Sequence, residues 1–217
     1  MSQKNKSTKF VNIADPLVSI ITPTYNRRNL LKRTLDSLVN QSYKNIEILV
    51  INDCGVNVED VVNEFKDNRI RYFQNDKNVG LAATRNVGLE NMRGDYFCLC
   101  DDDDIYMKYA IEIRMYLMKK LNAEASYTRS LLDHWEKRGD GYVSIGKTLY
   151  WSNPYFSRDL VLVQNICPCS NSTVSRKAWE RAGCYKFDQN LTTTEDHDMW
   201  IAISRKTDFH EVHPHVC

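Results

Sequence analysis

The sequence predicts an α/β fold with a mostly parallel central sheet, organised as a single Rossmann-like domain. Three observations lead there. Short apolar runs rich in β-branched residues are too continuous for strands with one wet face, so both faces are buried. Segments with apolar residues at helical spacing lie between those runs. The two types alternate without interruption over residues 17–121. At 217 residues the chain can build one sizeable core but not two full domains.

Taken in order, residues 17–22 (LVSIIT) read as the first strand, ended by Pro23. Leu30, Leu31, Leu35, Leu38 and Val39 mark the first helix, with Asn26 as its N-cap. Residues 46–51 (IEILVI) are the second strand, and Val58, Val61, Val62 and Phe65 mark the second helix. Residues 70–73 give a short third strand. Residues 81–92 give a third helix, closed by Arg93-Gly94, where glycine accepts a left-handed C-terminal geometry. Residues 96–100 are the fourth strand and 107–121 a longer helix. The second half is less regular: strands at 126–128 and 142–150, a short helix at 176–182, and a longer one at 195–205. No internal repeat or linker divides the chain.

Composition narrows the function. A formal net charge of +1, with no basic stripe, argues against a charge-driven nucleic-acid role. Residues 1–16 form a polar leader with no apolar h-region after it, so no signal peptide is expected. No apolar run is long enough to cross a bilayer. The seven cysteines show no repeated spacing, and Cys98 and Cys100 alternate inside an apolar strand. Small buried thiols in a reducing compartment, the cytoplasm, are the expectation. Cys167-Pro168-Cys169 has one residue between its thiols, not the two to four of common zinc knuckles.

In open parallel sheets, ligands bind beyond the carboxyl ends of the strands. The unusual polar clusters fall there. Pro23-Thr24-Tyr25-Asn26 follows the first strand, Asn52-Asp53 the second, and Asp101 to Asp104 the fourth. Neighbouring carboxylates about 4 Å apart repel by roughly 4 kcal/mol per pair at an effective dielectric of 20. Four in a row after a buried strand call for a compensating cation, and hard oxygen ligands suit Mg²⁺ or Mn²⁺. The competing reading is a solvated acidic turn that caps the next helix.

These pieces together resemble the family-2 glycosyltransferases of the GT-A fold. The resemblance rests on VSIITPTYNR at 18–27, ILVINDCG at 48–55, Asn78-Val79-Gly80 with Ala83-Thr84-Arg85-Asn86, FCLCDDDDIY at 97–106 and TEDHDMW at 194–200. It implies a nucleotide-binding half over 17–122 and an acceptor-binding half over 123–217. It also implies an inverting, metal-dependent, single-sugar transfer from a nucleotide diphosphate donor, UDP by default, onto a hydroxyl of a glycan, lipid-linked or other acceptor. Position by position, Asp53 corresponds to the acceptor of the uracil or thymine imide N–H, which a carboxylate suits. Pro23, Thr24 and Tyr25 correspond to the segment along base and ribose, and Arg85 to a nucleotide-contacting arginine. Asp103 corresponds to the direct metal ligand, with Asp101 or Asp102 near the ribose. Asp196 corresponds to the catalytic base. A base in the first turn of a helix stays ionised at pH 7 but is weakened by the helix dipole.

No Gln-x-x-Arg-Trp follows Trp200, so the signature of processive synthases is missing. Among His210, His213 and His215 one is a candidate third metal ligand; the competing reading is a strand end with exposed histidines. Two rivals stand beside the transferase. A sugar-1-phosphate nucleotidyltransferase would want a glycine-rich loop where Pro23 to Arg28 has no glycine. A non-catalytic nucleotide-sugar-binding module would have no need of Asp196.

Overall fold

The computed structural model describes residues 15–138, 141–150 and 155–212. Its first half alternates as expected: β1 (Val18–Thr24), α1 (Arg28–Val39), β2 (Ile46–Asn52), α2 (Glu59–Glu64), β3 (Ile70–Gln74), α3 (Leu81–Asn91), β4 (Tyr96–Leu99) and α4 (Ala110–Leu121). The second half comprises β5 (Ala125–Tyr127), β6 (Ser130–Arg138), β7 (Gly141–Tyr150) and α5 (Arg158–Val163). A 3-10 turn (Cys169–Asn171), β8 (Ser172–Ser175), α6 (Arg176–Arg181), α7 (Glu195–Ser204) and β9 (Phe209–Glu211) follow.

Seven strands form the central sheet in the order β3-β2-β1-β4-β8-β5-β9. Only β8 runs against the others, so the sheet is mostly parallel. Every residue of β1 and β2 is buried, as their unbroken apolar runs require. The pleat sends alternate side chains to opposite faces. Val18, Ile20, Ile48 and Val50 share one core with Leu31, Leu35 and Leu38 of α1 and with Ile111 and Met115 of α4. Ile21, Leu49 and Ile51 face the other core, with Leu89 of α3, Trp179 of α6 and Trp200 of α7. Cys98 and Cys100 are buried free thiols, as the strand pattern predicts.

The strand order reverses between β1 and β4. β2 and β3 are added on one side of β1, and α3 then carries the chain back to place β4 on the other. The carboxyl ends of β1 and β4 therefore border the switch point where ligands of open α/β sheets bind.

Several expectations are corrected. Pro23 does not end β1, which continues to Thr24 in register with Asn52. Pairing with β4 stops at Ile21, whose carbonyl accepts from Cys100 N at 2.9 Å. Pro23 lies two residues on and faces the same side, where no strand remains to need its missing N–H. Asn26 is not the α1 cap. It sits at φ 57°, a region asparagine tolerates. Its Oδ1 accepts from Val56 N at 2.8 Å, while Arg27 occupies the cap position without a side-chain hydrogen bond. Gly94 is not left-handed: the positive-φ glycines among the described residues are Gly80, Gly146 and Gly183. Close approach explains it, since a Cβ there would lie 2.6 Å from Ser19 Oγ and 2.7 Å from Ser19 N. Strands β6, β8 and β9 and helix α5 are too short or too exposed to have carried a periodic signal. The β6–β7 hairpin forms a separate two-stranded sheet.

A buried polar network ties the opposite end of the sheet. Glu47 of β2 accepts from Ser19 Oγ at 2.6 Å, Arg71 Nη1 at 2.8 Å and the Arg93 amide. Burial alone would raise the Glu47 carboxyl, but these donors outweigh it and hold it below the ordinary glutamate value. An acid depressed in the folded state adds stability above its unfolded pKa and loses it as pH falls through the folded value. Glu47→Gln is therefore expected to be less stable than wild type at pH 7. The gap should close on acidification below the glutamate range. Urea denaturation at pH 7 and pH 3 checks this, and a gap independent of pH rejects it.

Candidate active site

An open cleft of about 360 Å³ lies at the switch point. Its lining comes from four separated segments: Pro23 and Thr24 at the end of β1 with Tyr25 and Arg27 just beyond it; Asp53 after β2; Asn78, Gly80, Leu81 and Thr84 around the start of α3; and Asp101, Asp102 and Asp103 after β4. Of the residues singled out from sequence, seven meet here. Tyr25 is 47% exposed, an aromatic face open to the cleft.

Asp53 is buried and shapes the wall. Its Oδ1 accepts from Asn75 Nδ2 and Val79 N, both at 2.9 Å, and its Oδ2 from Gly80 N at 2.8 Å. A carboxylate offers about four lone-pair sites, so one remains for a ligand N–H. Gly80 begins α3 at φ 87° and ψ 165°, a region essentially reserved for glycine. The sequence signal for this wall was Asn78-Val79-Gly80, a motif whose role is now visible as the turn that Asp53 fastens.

The four aspartates divide their partners. Asp101 takes both oxygens to Arg85 Nη2, at 2.8 and 3.0 Å. Asp102 is buried and accepts from Thr24 Oγ1 at 2.7 Å and Arg27 Nη1 at 3.2 Å. Burial pushes its carboxyl above the ordinary aspartate value, against the pull of Thr24 and Arg27. Asp104 is also raised, first by burial and further by the three other aspartates, with Ser170 opposing. Thr34 Oγ1 reaches the carbonyls of Asp102 and Asp104 at 2.9 and 2.8 Å and fixes the turn. Asp103 alone keeps a half-exposed carboxylate, bonded to Arg27 Nη1 at 2.9 Å.

Arg85 is no surface arginine, and it is not part of the cleft lining. It is 2% exposed and spans Asp101 and Glu195, the latter at 2.6 Å through Nη1. Burial opposes its charge, yet the carboxylates of Asp101 and Glu195 hold its pKa above the ordinary arginine value. Through Arg85 the acidic run is linked to the first turn of α7. There Asp196 is half-buried, its Oδ2 accepting from Asn165 Nδ2 at 3.0 Å and its Oδ1 from His197 N at 2.8 Å. Thr194 precedes the helix at φ 68° and makes no side-chain cap, so the acids of this turn are not a capping device completed by Thr194. Arg27 and Glu195 lie inside the 18–27 and 194–200 motifs without a role of their own there, and Asn165 lies in no motif.

Among the described residues no group of three His, Cys, Asp or Glu side chains is arranged to hold a metal ion. The half-exposed Asp103 carboxylate fits the sparser pattern, in which Mg²⁺ or Mn²⁺ takes one or two carboxylates and completes its shell with phosphate oxygens and water. His210 lies in the middle of β9 opposite Ser126, at the far edge of the sheet, and His213 and His215 lie outside the described residues. Cys169 beside Arg85 is kept a neutral thiol, its pKa pushed well up by burial.

A mostly parallel sheet with a switch-point cleft and an acidic turn after β4 defines an open α/β domain of the ligand-binding, doubly wound class. The sequence profile described as "Glycosyl transferase family 2" matches residues 19–181. The chain belongs to that family, and its fold is GT-A. It is 32% identical to an uncharacterized glycosyltransferase of Rickettsia felis over 210 residues, covering 94% of this chain and 34% of that protein. It is 30% identical to WcaA of Escherichia coli, provisionally named a colanic acid biosynthesis glycosyl transferase, covering 87% of this chain and 66% of that one. The chain thus spans about a third of the Rickettsia felis relative. Staphylococcus aureus TarS 1–349 in complex with UDP superposes with a TM-score of 0.69 at 17% identity, over 91% of this chain and 61% of that chain. The Pyrobaculum calidifontis mannosyltransferase PcManGT, in complex with GDP-Man and Mn²⁺, gives 0.66 at 16%, over 94% and 56%.

Removing Arg85 strands two carboxylates in a buried setting, and breaking such pairs costs about 3–5 kcal/mol. Arg85→Met is expected to lose that much in urea denaturation. Arg85→Lys is expected to recover little, because one ammonium cannot bridge both acids. Wild-type stability in either variant would show that the bridge does not hold the two halves.

Proposed function

We propose that this domain is an inverting, metal-dependent glycosyltransferase that moves one sugar from a UDP-linked donor to an acceptor hydroxyl. The observation that carries the reading is the division of labour at the end of β4: Asp101, Asp102 and Asp104 are held by inward partners, and Asp103 alone, paired only with the solvent-exposed Arg27, presents a half-exposed carboxylate to the cleft. Tyr25 offers its ring to the base, and Asp53 has acceptor capacity left for the imide N–H of uracil. Pro23 and Thr24 line the same cleft, with Asp101 and Asp102 as candidates for the ribose side. Mn²⁺ or Mg²⁺ at Asp103 would neutralise charge on the leaving diphosphate.

In this reading Asp196 is the base that takes the acceptor proton. Asn165 and the His197 amide fix its carboxylate, one donor to each oxygen, which leaves lone pairs on both for a hydroxyl. The UDP bound in TarS and the Mn²⁺ and GDP-Man in PcManGT support the class of donor and cofactor, and the choice of UDP rests on Asp53. The name of WcaA supports a polysaccharide or related glycoconjugate as acceptor. No helix among the described residues is long and apolar enough to cross a membrane. A cytoplasmic site, with peripheral contact at the inner face of the membrane, accords with the buried free thiols of Cys98 and Cys100.

Asp103→Ala should abolish the tightening of UDP binding by Mn²⁺, measured by calorimetry with and without chelator. Equal wild-type affinities in both conditions would remove the metal from the reading. Asp196→Asn should lower sugar transfer by roughly 10²–10⁴ while UDP affinity stays within about twofold. Glu195→Gln and Asp198→Asn serve as controls. Transfer at the wild-type rate in Asp196→Asn, with one control dead yet as stable as wild type in urea, would move the base elsewhere in this turn. A wild type inactive with every nucleotide sugar, yet able to bind UDP, would favour the binding module.

A further inference from the structure

The carboxylate offered to a cation is already held by a cation of the protein's own. Arg27 Nη1 bonds Asp103 Oδ2 at 2.9 Å and Asp102 Oδ1 at 3.2 Å. We propose that Arg27 is an exchangeable counter-ion of the cleft: it occupies Asp103 in the empty protein, yields it to the entering divalent cation, and turns its guanidinium onto the donor diphosphate. The inference rests on the reading of Asp103 as the metal ligand.

Four features favour exchange over a fixed brace. First, the pair is open to water, with 51% of the Arg27 side chain and 49% of that of Asp103 exposed, so the contact is weak and readily broken. The Arg85 pairs, with that arginine 2% exposed, are the fixed counterpart on the other side of the run. Second, the Arg27 backbone is anchored while its side chain is free to swing. Its carbonyl accepts from Leu31 N at 2.9 Å as α1 begins, and its side chain makes no capping bond. Third, both carboxylate contacts use Nη1, which leaves the rest of the planar fork for phosphate oxygens, the geometry guanidinium matches best. Fourth, Arg27 lines the same cleft as Asp53 and Thr84, so a short swing keeps it beside a bound nucleotide.

Charge gives the exchange its direction. Asp101, Asp102, Asp103, Asp104 and Glu195 are five carboxylates, and the ion pairs of the described residues bring them two guanidinium partners, Arg27 and Arg85. A divalent cation at Asp103 supplies more charge at closer range than a solvated guanidinium does. Arg27 is then both displaced and attracted by the diphosphate that arrives with the sugar.

The test sets two affinities against each other in Arg27→Met. Mn²⁺ alone, measured by the electron paramagnetic resonance of the free ion, should bind about five- to tenfold more tightly than to wild type, because its competitor is gone. UDP at saturating Mn²⁺, measured by calorimetry, should bind about tenfold more weakly, because a charged donor to the diphosphate is gone. A merely structural arginine would weaken both. Arg27→Lys keeps a point charge near Asp103 without the fork. It should leave Mn²⁺ binding within about twofold of wild type while UDP still loses affinity, and it guards against misfolding of the Met variant. If wild type binds Mn²⁺ with UDP but the Met variant binds Mn²⁺ alone no more tightly, the exchange is wrong and the metal reading stands. If wild type binds no Mn²⁺ with or without UDP, both fall.

Discussion

The concentration of negative charge at the carboxyl end of β4 is the constraint around which the rest of the molecule is arranged. Four aspartates follow a strand that is buried up to the residue before them. Adjacent unit charges at 4 Å repel by roughly 4 kcal/mol at an effective dielectric of 20. The fold meets this cost with partners drawn from several elements. Arg85 arrives from α3, Thr24 from the end of β1 and Arg27 from the start of α1, and Thr34 of α1 and Ser170 of the 3-10 turn hold the turn itself. At Asp103, where the partner is the solvent-exposed Arg27, the protein presents charge to the cleft.

Topology explains why these partners are to hand. Because β4 stops at Leu99 while β1 continues to Thr24, the last residues of β1 have one strand neighbour and one open side. The aspartate turn fills part of that open side and the cleft is what remains. Antiparallel β8 then enters from the site end, which is how Ser170, just before it in sequence, comes to lie beside Asp101 and Tyr106. α7 is brought in by Arg85 through Glu195, so a residue 110 positions away joins the same charge network.

Elements that bury a complete periodic face were legible in the sequence, and with them the sheet's first half and most of the cleft. β1, β2 and α1 needed only apolar spacing, and the strand-end rule then placed Thr24, Asp53 and the aspartates together. What escaped reading depends on tertiary neighbours. Pro23 looked like a terminator because no sequence pattern reveals that β4 is shorter than β1. Asn26 looked like a cap because its alternative partner, Val56 N, lies in another loop. β8 and β9 are four and three residues long and gain definition only from pairing in the sheet. Arg85 was expected to touch a ligand, and its burial between two acids could be seen only once Glu195 was in place.

The two arginines also separate stability from function within one network. A guanidinium closed off from water between two carboxylates cannot leave without stranding them, so Arg85 belongs to the fold whatever the ligand does. A guanidinium half in water on a half-exposed carboxylate contributes little to stability. Its position at the mouth of the cleft is then better explained by what it meets when a ligand enters. The same electrostatic demand thus yields a permanent bridge on the inner side of the aspartate run and an exchangeable one on the outer side. The difference is set by depth: Arg85 of α3 is 2% exposed, while Arg27 stands half in water at the start of α1. The chemistry proposed for the cleft needs both, one to hold the acidic turn still and one to let a cation in.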